Sequence, residues 1–105
     1  AARTSGFFKV RGININHTDF DDFMLRQFDV ADYKVEVQGS DTLDVMHVFI
    51  ELSDNANSAE ISERIAHKIK VRFELSAVIS PLAQGTLEKE FSGQIKQNRY
   101  IDKRG

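Results

Sequence analysis

Four apolar side chains spaced four residues apart, Ile61, Ile65, Ile69 and Phe73, with charged residues in the intervals, constrain this sequence more than any other feature. Side chains four apart lie on one face of an α-helix, so the segment folds as a helix with one apolar stripe and one wet face. Asn57 or Ser58 can cap it, which predicts a helix from about 58 to 73. Such a stripe needs an apolar surface to cover, and the sequence supplies one upstream. Tyr33, Val35 and Val37 alternate with Lys34, Glu36 and Gln38, and beyond the polar turn Gly39 to Thr42 the run Val45 to Leu52 continues in β-type residues. A period of two puts the apolar set on one sheet face, and the two runs read as a β-hairpin.

The flanking segments fit around this pair. Phe7 to Arg11 reads as a strand ended by Gly12, and Ile13 to Asn16 alternates as a second short strand. Thr18 is a good N-cap, Asp19, Asp21 and Asp22 suit the positive end of a helix, and Phe20, Phe23, Met24 and Phe28 recur at helical spacing, which predicts a helix near 18 to 27. Ala77-Val78-Ile79 is a short strand stopped by Pro81, and the polar stretch from Gln84 to Gly105 carries one strand-like pair, Tyr100-Ile101. The order strand, helix, hairpin, helix, strand implies a small α+β sandwich, with two helices on one face of a mainly antiparallel sheet. At 105 residues the chain has material for one core and no second lobe.

Composition excludes several classes. Lys+Arg 14 against Asp+Glu 16 leaves a formal charge of -2, without the basic excess of a nucleic-acid binder. The absence of Cys removes disulfides, thiolate metal sites and a thiol nucleophile, and fits a reducing cytoplasm. No stretch approaches the ~18 consecutive apolar residues of a membrane helix. The start at Ala1-Ala2-Arg3, without Met, reads as a cut-out fragment or equally as the remnant of a tag.

Most polar clusters have plain explanations. His17, His47 and His67 show no metal-ligand spacing and read as surface or partly packed side chains. Asp19, Asp21 and Asp22 beside an N-cap complement a helix dipole and lack a calcium-loop pattern. Ser53, Ser58, Ser76 and Ser80 sit in no nucleophile elbow. Two segments ask for more. One is Arg3-Thr4-Ser5-Gly6-Phe7-Phe8-Lys9-Val10-Arg11-Gly12-Ile13-Asn14, where an apolar pair runs into a Lys-x-Arg-Gly turn. The other is Gly85-Thr86-Leu87, followed by the basic tail Ser92-Gly93-Gln94-Ile95-Lys96-Gln97-Asn98-Arg99-Tyr100-Ile101-Asp102-Lys103-Arg104. A Gly-containing loop that presents a Lys can bring charge to a phosphate or carboxylate, although basic tails are commonly just solvated.

Together, at the two ends of a domain of this size, these segments resemble the C-terminal domain of the phenylacetate-coenzyme A ligase family of adenylate-forming enzymes. Arg3, Lys9, Arg11, Gly12, Ile13 and Asn14 match the family's opening motif, and Lys96, Arg99, Asp102 and Arg104 its closing one. Ser5-Gly6 stand where the family has an acidic hinge pair. The resemblance implies a mobile lid spanning 1–105 with its hinge at Arg3, Ser5 and Gly6. It implies Lys96 as the adenylation lysine, Arg99 and Arg104 as supporting cations, and Lys9, Arg11 and Gly12 as a turn used in thioester formation. ATP, with Mg2+, coenzyme A and a small carboxylic acid would be the substrates of the full-length enzyme, and an N-terminal adenylation domain of the same chain the partner. A homodimer stays open, and neither nucleic acid nor membrane is expected. The competing expectation is a small-molecule-sensing or oligomerisation module. An RNA platform is disfavoured by the slightly acidic charge and by how few aromatics, such as Tyr33 and Phe49, a sheet would show.

Overall fold

The structure is a computed structural model that describes residues 7–27, 29–39, 44–52, 58–92 and 100–102. Its elements are β1 (Phe7–Val10), β2 (Ile13–Asn16), α1 (His17–Leu25), β3 (Val30–Gly39), β4 (Asp44–Leu52), α2 (Ser58–Phe73), β5 (Ala77–Leu82), α3 (Thr86–Ser92) and β6 (Tyr100–Asp102). β1 and β2 form a two-stranded antiparallel sheet, and the other four strands a sheet in the order β5-β4-β3-β6.

The α+β class and the hairpin stand as the sequence implies. The longest ladder, β3 with β4, is antiparallel, whereas β5 on β4 and β6 on β3 are parallel. Parallel neighbours need a crossover, and α2 supplies it between β4 and β5. The register sets Tyr33 opposite Ile50, Val35 opposite Val48 and Val37 opposite Met46. These six are buried on one face with Ile61, Ile65 and Ile69 of α2 and Phe20, Phe23 and Met24 of α1. The two helices meet through Phe73, whose ring lies 5.4 Å from Phe20 and 5.5 Å from Phe23. An ion pair from Arg64 to Asp29 ties α2 to the connection after α1.

Four local expectations change. α1 is capped by Asn16 and not by Thr18: Asn16 has extended backbone and its Oδ1 accepts from Thr18 N at 2.8 Å and Asp19 N at 3.2 Å. Strand β2 runs straight into the helix, so the last strand residue is the only extended position available to cap. The helix then stops at Leu25 instead of running to 27. Pro81 does not stop β5, because an edge strand has one side without a ladder and tolerates a residue with no N–H. Finally, α3 lies in a stretch that reads as polar and irregular. Phe28 and Asn57, considered for the helix stripe and the cap, lie outside the described residues. α2 ends where Glu74 turns left-handed (φ 62) and its N–H reaches Lys70 O at 2.9 Å, closing the last turn.

Candidate functional site

The β1–β2 connection has only two residues, and both have positive φ, Arg11 at 52 and Gly12 at 81. That is the sense of two-residue turn that matches strand twist. A Cβ at Gly12 would meet nothing within 4 Å, so backbone dihedral and not space favours glycine there. Arg11 pays for its left-handed conformation with about 1 kcal/mol. Asp44, the first residue of β4, holds it: Arg11 N donates to Asp44 Oδ2 at 3.0 Å and Arg11 Nε to Asp44 O at 3.1 Å. The exposed turn is thereby fixed to the large sheet. Lys9 and Phe7 project to the exposed side of β1, while Phe8 and Val10 are buried.

Phe8 leads to the second assembly. Its ring lies 5.6 Å from His17 and 5.3 Å from Tyr100, and His17 stacks on Tyr100 at 3.9 Å with 6° between planes. The Asp21 carboxylate accepts from the hydroxyls of both Tyr33 and Tyr100, which are 3.3 Å apart. Tyr100 Oη is also 3.3 Å from His17 O, but a phenol has one proton, and the charged acceptor takes it. Burial first, and then the bond to Asp21, holds the Tyr100 phenol far above its ordinary range. Burial lowers the His17 pKa, outweighing the charge of Asp21. The cluster therefore joins β1, α1, β3 and β6 through one carboxylate and a stack of rings. A concavity of about 310 Å³ opens beside it, lined by Phe8, Lys9, His17, Val37 and Tyr100 among others.

A third assembly occupies the opposite face of the four-stranded sheet. Lys34 Nζ donates to Glu90 of α3 at 2.7 and 2.9 Å, lies 3.3 Å from Glu36, and sits 5.1 Å from the Phe49 ring centroid. Burial of Lys34 would lower its pKa, but the bonds and charges of Glu90 and Glu36 together raise it. Glu51 accepts from Gly85 N at 3.0 Å and from Leu87 N, satisfying amides at the start of α3. Leu87 is fully buried beneath the helix. The basic tail with Lys96 follows directly from α3.

The profile of the AMP-binding enzyme C-terminal domain matches residues 12–104. The chain belongs to this family. No curated protein matches the sequence. Among solved structures, the fold is similar to a domain of phenylacetate-coenzyme A ligase from Bacteroides vulgatus, with TM-score 0.77 and 18% identity over 94% of this chain and 93% of that one. It is also similar to 2-hydroxyisobutyryl-CoA ligase in complex with 2-HIB-AMP and CoA in the thioesterification state, with TM-score 0.79 and 17% identity over 98% of this chain. The same ligase in the postadenylation state with 2-HIB-AMP gives 0.71 and 16% over 91%. The chain spans 22% and 21% of those two ligase chains. At such identities the likeness is one of fold.

Within this family domain, the structure brings Lys9, Arg11 and Gly12 to one exposed end of the β1–β2 hairpin. Arg3, Ser5, Gly6, Lys96, Arg99 and Arg104 lie outside the described residues. Phe8 of β1 and Tyr100 of β6, in the strands that follow the hinge and lysine segments in sequence, meet in the aromatic cluster. Sequence reasoning missed Asp44 as the anchor of the turn and Asp21 as the acceptor of two phenols, since each acts on residues remote in sequence. Asp22 bridges Arg26 at 3.1 Å, and among the described residues no group of three His, Asp or Glu side chains is placed to hold a metal ion. A concavity of about 600 Å³ lies between α1 and α2, away from the hairpin, and is lined by Phe23, Arg26, His67, Lys68 and Arg72 among others.

Proposed function

We propose that this chain is the C-terminal mobile domain of an ATP-dependent aryl or acyl acid–CoA ligase resembling phenylacetate-CoA ligase. The observation that carries the reading is the left-handed Arg11-Gly12 turn, held to β4 by Asp44, in a chain whose family match runs from residue 12 to 104. A turn fixed at both its backbone and its guanidinium is suited to entering a partner domain's active site without reorganising.

In the first half-reaction a carboxylate oxygen of the small acid attacks the α-phosphorus of ATP and pyrophosphate leaves. Lys96 supplies an ammonium between the two like-charged reactants, with Arg99 and Arg104 as supporting cations. In the second, the coenzyme A thiol sulfur attacks the acyl carbonyl, its proton is lost and AMP leaves. Rotation about Arg3, Ser5 and Gly6 withdraws Lys96 and brings Lys9, Arg11 and Gly12 beside the thioester-forming centre. Among the described residues no three His, Asp or Glu side chains gather to hold a metal ion, so the Mg2+ implied with ATP is assigned no residue of this chain. The partner is the N-terminal adenylation domain of the same chain, and the isolated 105-residue piece is expected to fold without catalysing either step.

The test is Lys96→Ala in the full-length parent. Pyrophosphate release from ATP and acid should fall by roughly two to three powers of ten, while thioester formation from supplied acyl-adenylate persists. Unchanged adenylation would remove Lys96 from the reaction and bring forward the reading of a sensing or oligomerisation module.

A further inference from the structure

Helices α1 and α2 touch through the Phe23 and Phe73 rings, and beside that contact they leave a groove of about 600 Å³. Its volume lies in the range of small-molecule sites. The isoleucines of α2 are spent on the core, since Ile61, Ile65 and Ile69 are all buried. Val71 belongs to no such stripe. It is the large apolar side chain that α2 leaves outside, 69% exposed, and with Phe23 it lines the groove.

The charges around this apolar surface do not cancel. Positions 68, 71 and 72 stand in the i, i+3, i+4 relation that gathers side chains on one helix face, so Lys68 and Arg72 flank Val71. On the α1 side, Asp22 holds Arg26 at 3.1 Å, which leaves that wall without net charge. Lys68 and Arg72 meet no carboxylate among the described residues. Three cations against one carboxylate give the groove a formal surplus of two positive charges, in a chain whose total is -2. The Arg72 guanidinium also lies 5.3 Å from the Phe73 ring centroid, which steadies it beside the groove. A cation in the last turn answers the helix dipole, and this accounts for Arg72 but for neither Lys68 nor the exposed valine.

We propose that the groove between α1 and α2 binds a small amphipathic anion, a phosphate or carboxylate carried on an apolar group. Lys68 and Arg72 donate to its oxygens, and Phe23 and Val71 cover its apolar part. Neither end of such a ligand is enough alone: the anion without the apolar group gains no burial, and the apolar group without the anion leaves the two cations unanswered. The site is independent of the roles proposed for Lys96 and the Arg11-Gly12 turn.

The experiment uses the full-length parent enzyme with its valine methyl groups labelled for NMR, the Val71 signal being the one lost in Val71→Ala. Phenyl phosphate should shift the Val71 methyls saturably and leave Val45 and Val78, exposed elsewhere on the domain, unmoved. A shift at Val71 reports this groove whatever the probe does in the catalytic centre. Inorganic phosphate and benzyl alcohol should each bind at least about tenfold more weakly. Lys68→Gln combined with Arg72→Gln, two exposed changes to a good helix former, should weaken phenyl phosphate by at least about tenfold, and raising NaCl to about 0.5 M should weaken it in the unaltered enzyme. Benzoate in place of phenyl phosphate distinguishes the two anions: whichever binds more tightly at Val71 names the headgroup. The proposal is overturned if Val71 stays unmoved up to saturating probe, if the double variant binds as well as the unaltered enzyme, or if benzyl alcohol binds as tightly as phenyl phosphate. A Val71 signal that moves with protein concentration and not with probe would assign the groove to a second copy of the chain and overturn it as well.

Discussion

The two faces of the four-stranded sheet are held by different physics. On one, Val35, Val37, Met46, Val48 and Ile50 are almost fully buried against α1 and α2. On the other, α3 is fastened by Lys34, Glu90 and Glu51 through a few directed bonds, with Leu87 as its buried apolar contact. Apolar packing is non-directional and summed over many atoms, so it survives small shifts. Charged hydrogen bonds demand geometry, and a missing partner leaves a desolvated group behind. The first face thus supplies the stability of the domain, and the second sets the exact seat of one short helix ahead of the Lys96 segment.

Ile65→Ala should separate the two faces most strongly. The residue is fully buried, and its truncation is expected to cost about 2–5 kcal/mol, read from the urea midpoint at unchanged slope. A cost below 1 kcal/mol would mean that α2 is not the principal cover of the sheet. Glu51→Ala comes next. It strands the Gly85 and Leu87 amides and should cost about 1–3 kcal/mol, with faster hydrogen exchange confined to α3. If instead the entire domain loses protection together, the two faces form one cooperative unit and the contrast collapses.

The smallest effect is electrostatic and belongs to the edge of the apolar side. His17 has its pKa lowered by burial, so the unfolded chain binds the proton more readily than the folded one. Its contribution is then complete above the unfolded value of about 6.5 and is lost as pH falls through that value toward the lower folded one. Urea midpoints should fall on acidification through this window, and His17→Phe, which keeps a ring on Tyr100, should flatten the trend. An identical slope in the variant would assign the acid sensitivity to other groups.

The same contrast explains what could be read in the residues beforehand. The isoleucine stripe of α2 and the alternation of β3 announce themselves because burial repeats with the period of the backbone, and α2 spans Ser58–Phe73 as its spacing implies. α3 has seven residues, too few for a period to emerge, and the carboxylate that receives its first amides lies 34 and 36 residues upstream at Glu51. Asp44 is likewise 33 residues from the turn it holds. Asp21 reads as a dipole partner of α1, yet it serves two tyrosines brought to it by the β3–β6 pairing. Long-range polar bonds carry no local signature, whereas the turn Arg11-Gly12 does, because a two-residue connection between strands restricts its own dihedrals. The roles proposed for Lys96, Arg99 and Arg104 came only from resemblance to a family.

The strand order has a consequence for the domain's behaviour among copies of itself. One border of the large sheet is β5, which contains Pro81, and the other is the three-residue β6. A proline offers no N–H to an incoming strand, and three residues are a poor template for another chain. A domain with such borders can therefore stay dispersed at high concentration, since neither border readily seeds intermolecular sheet growth.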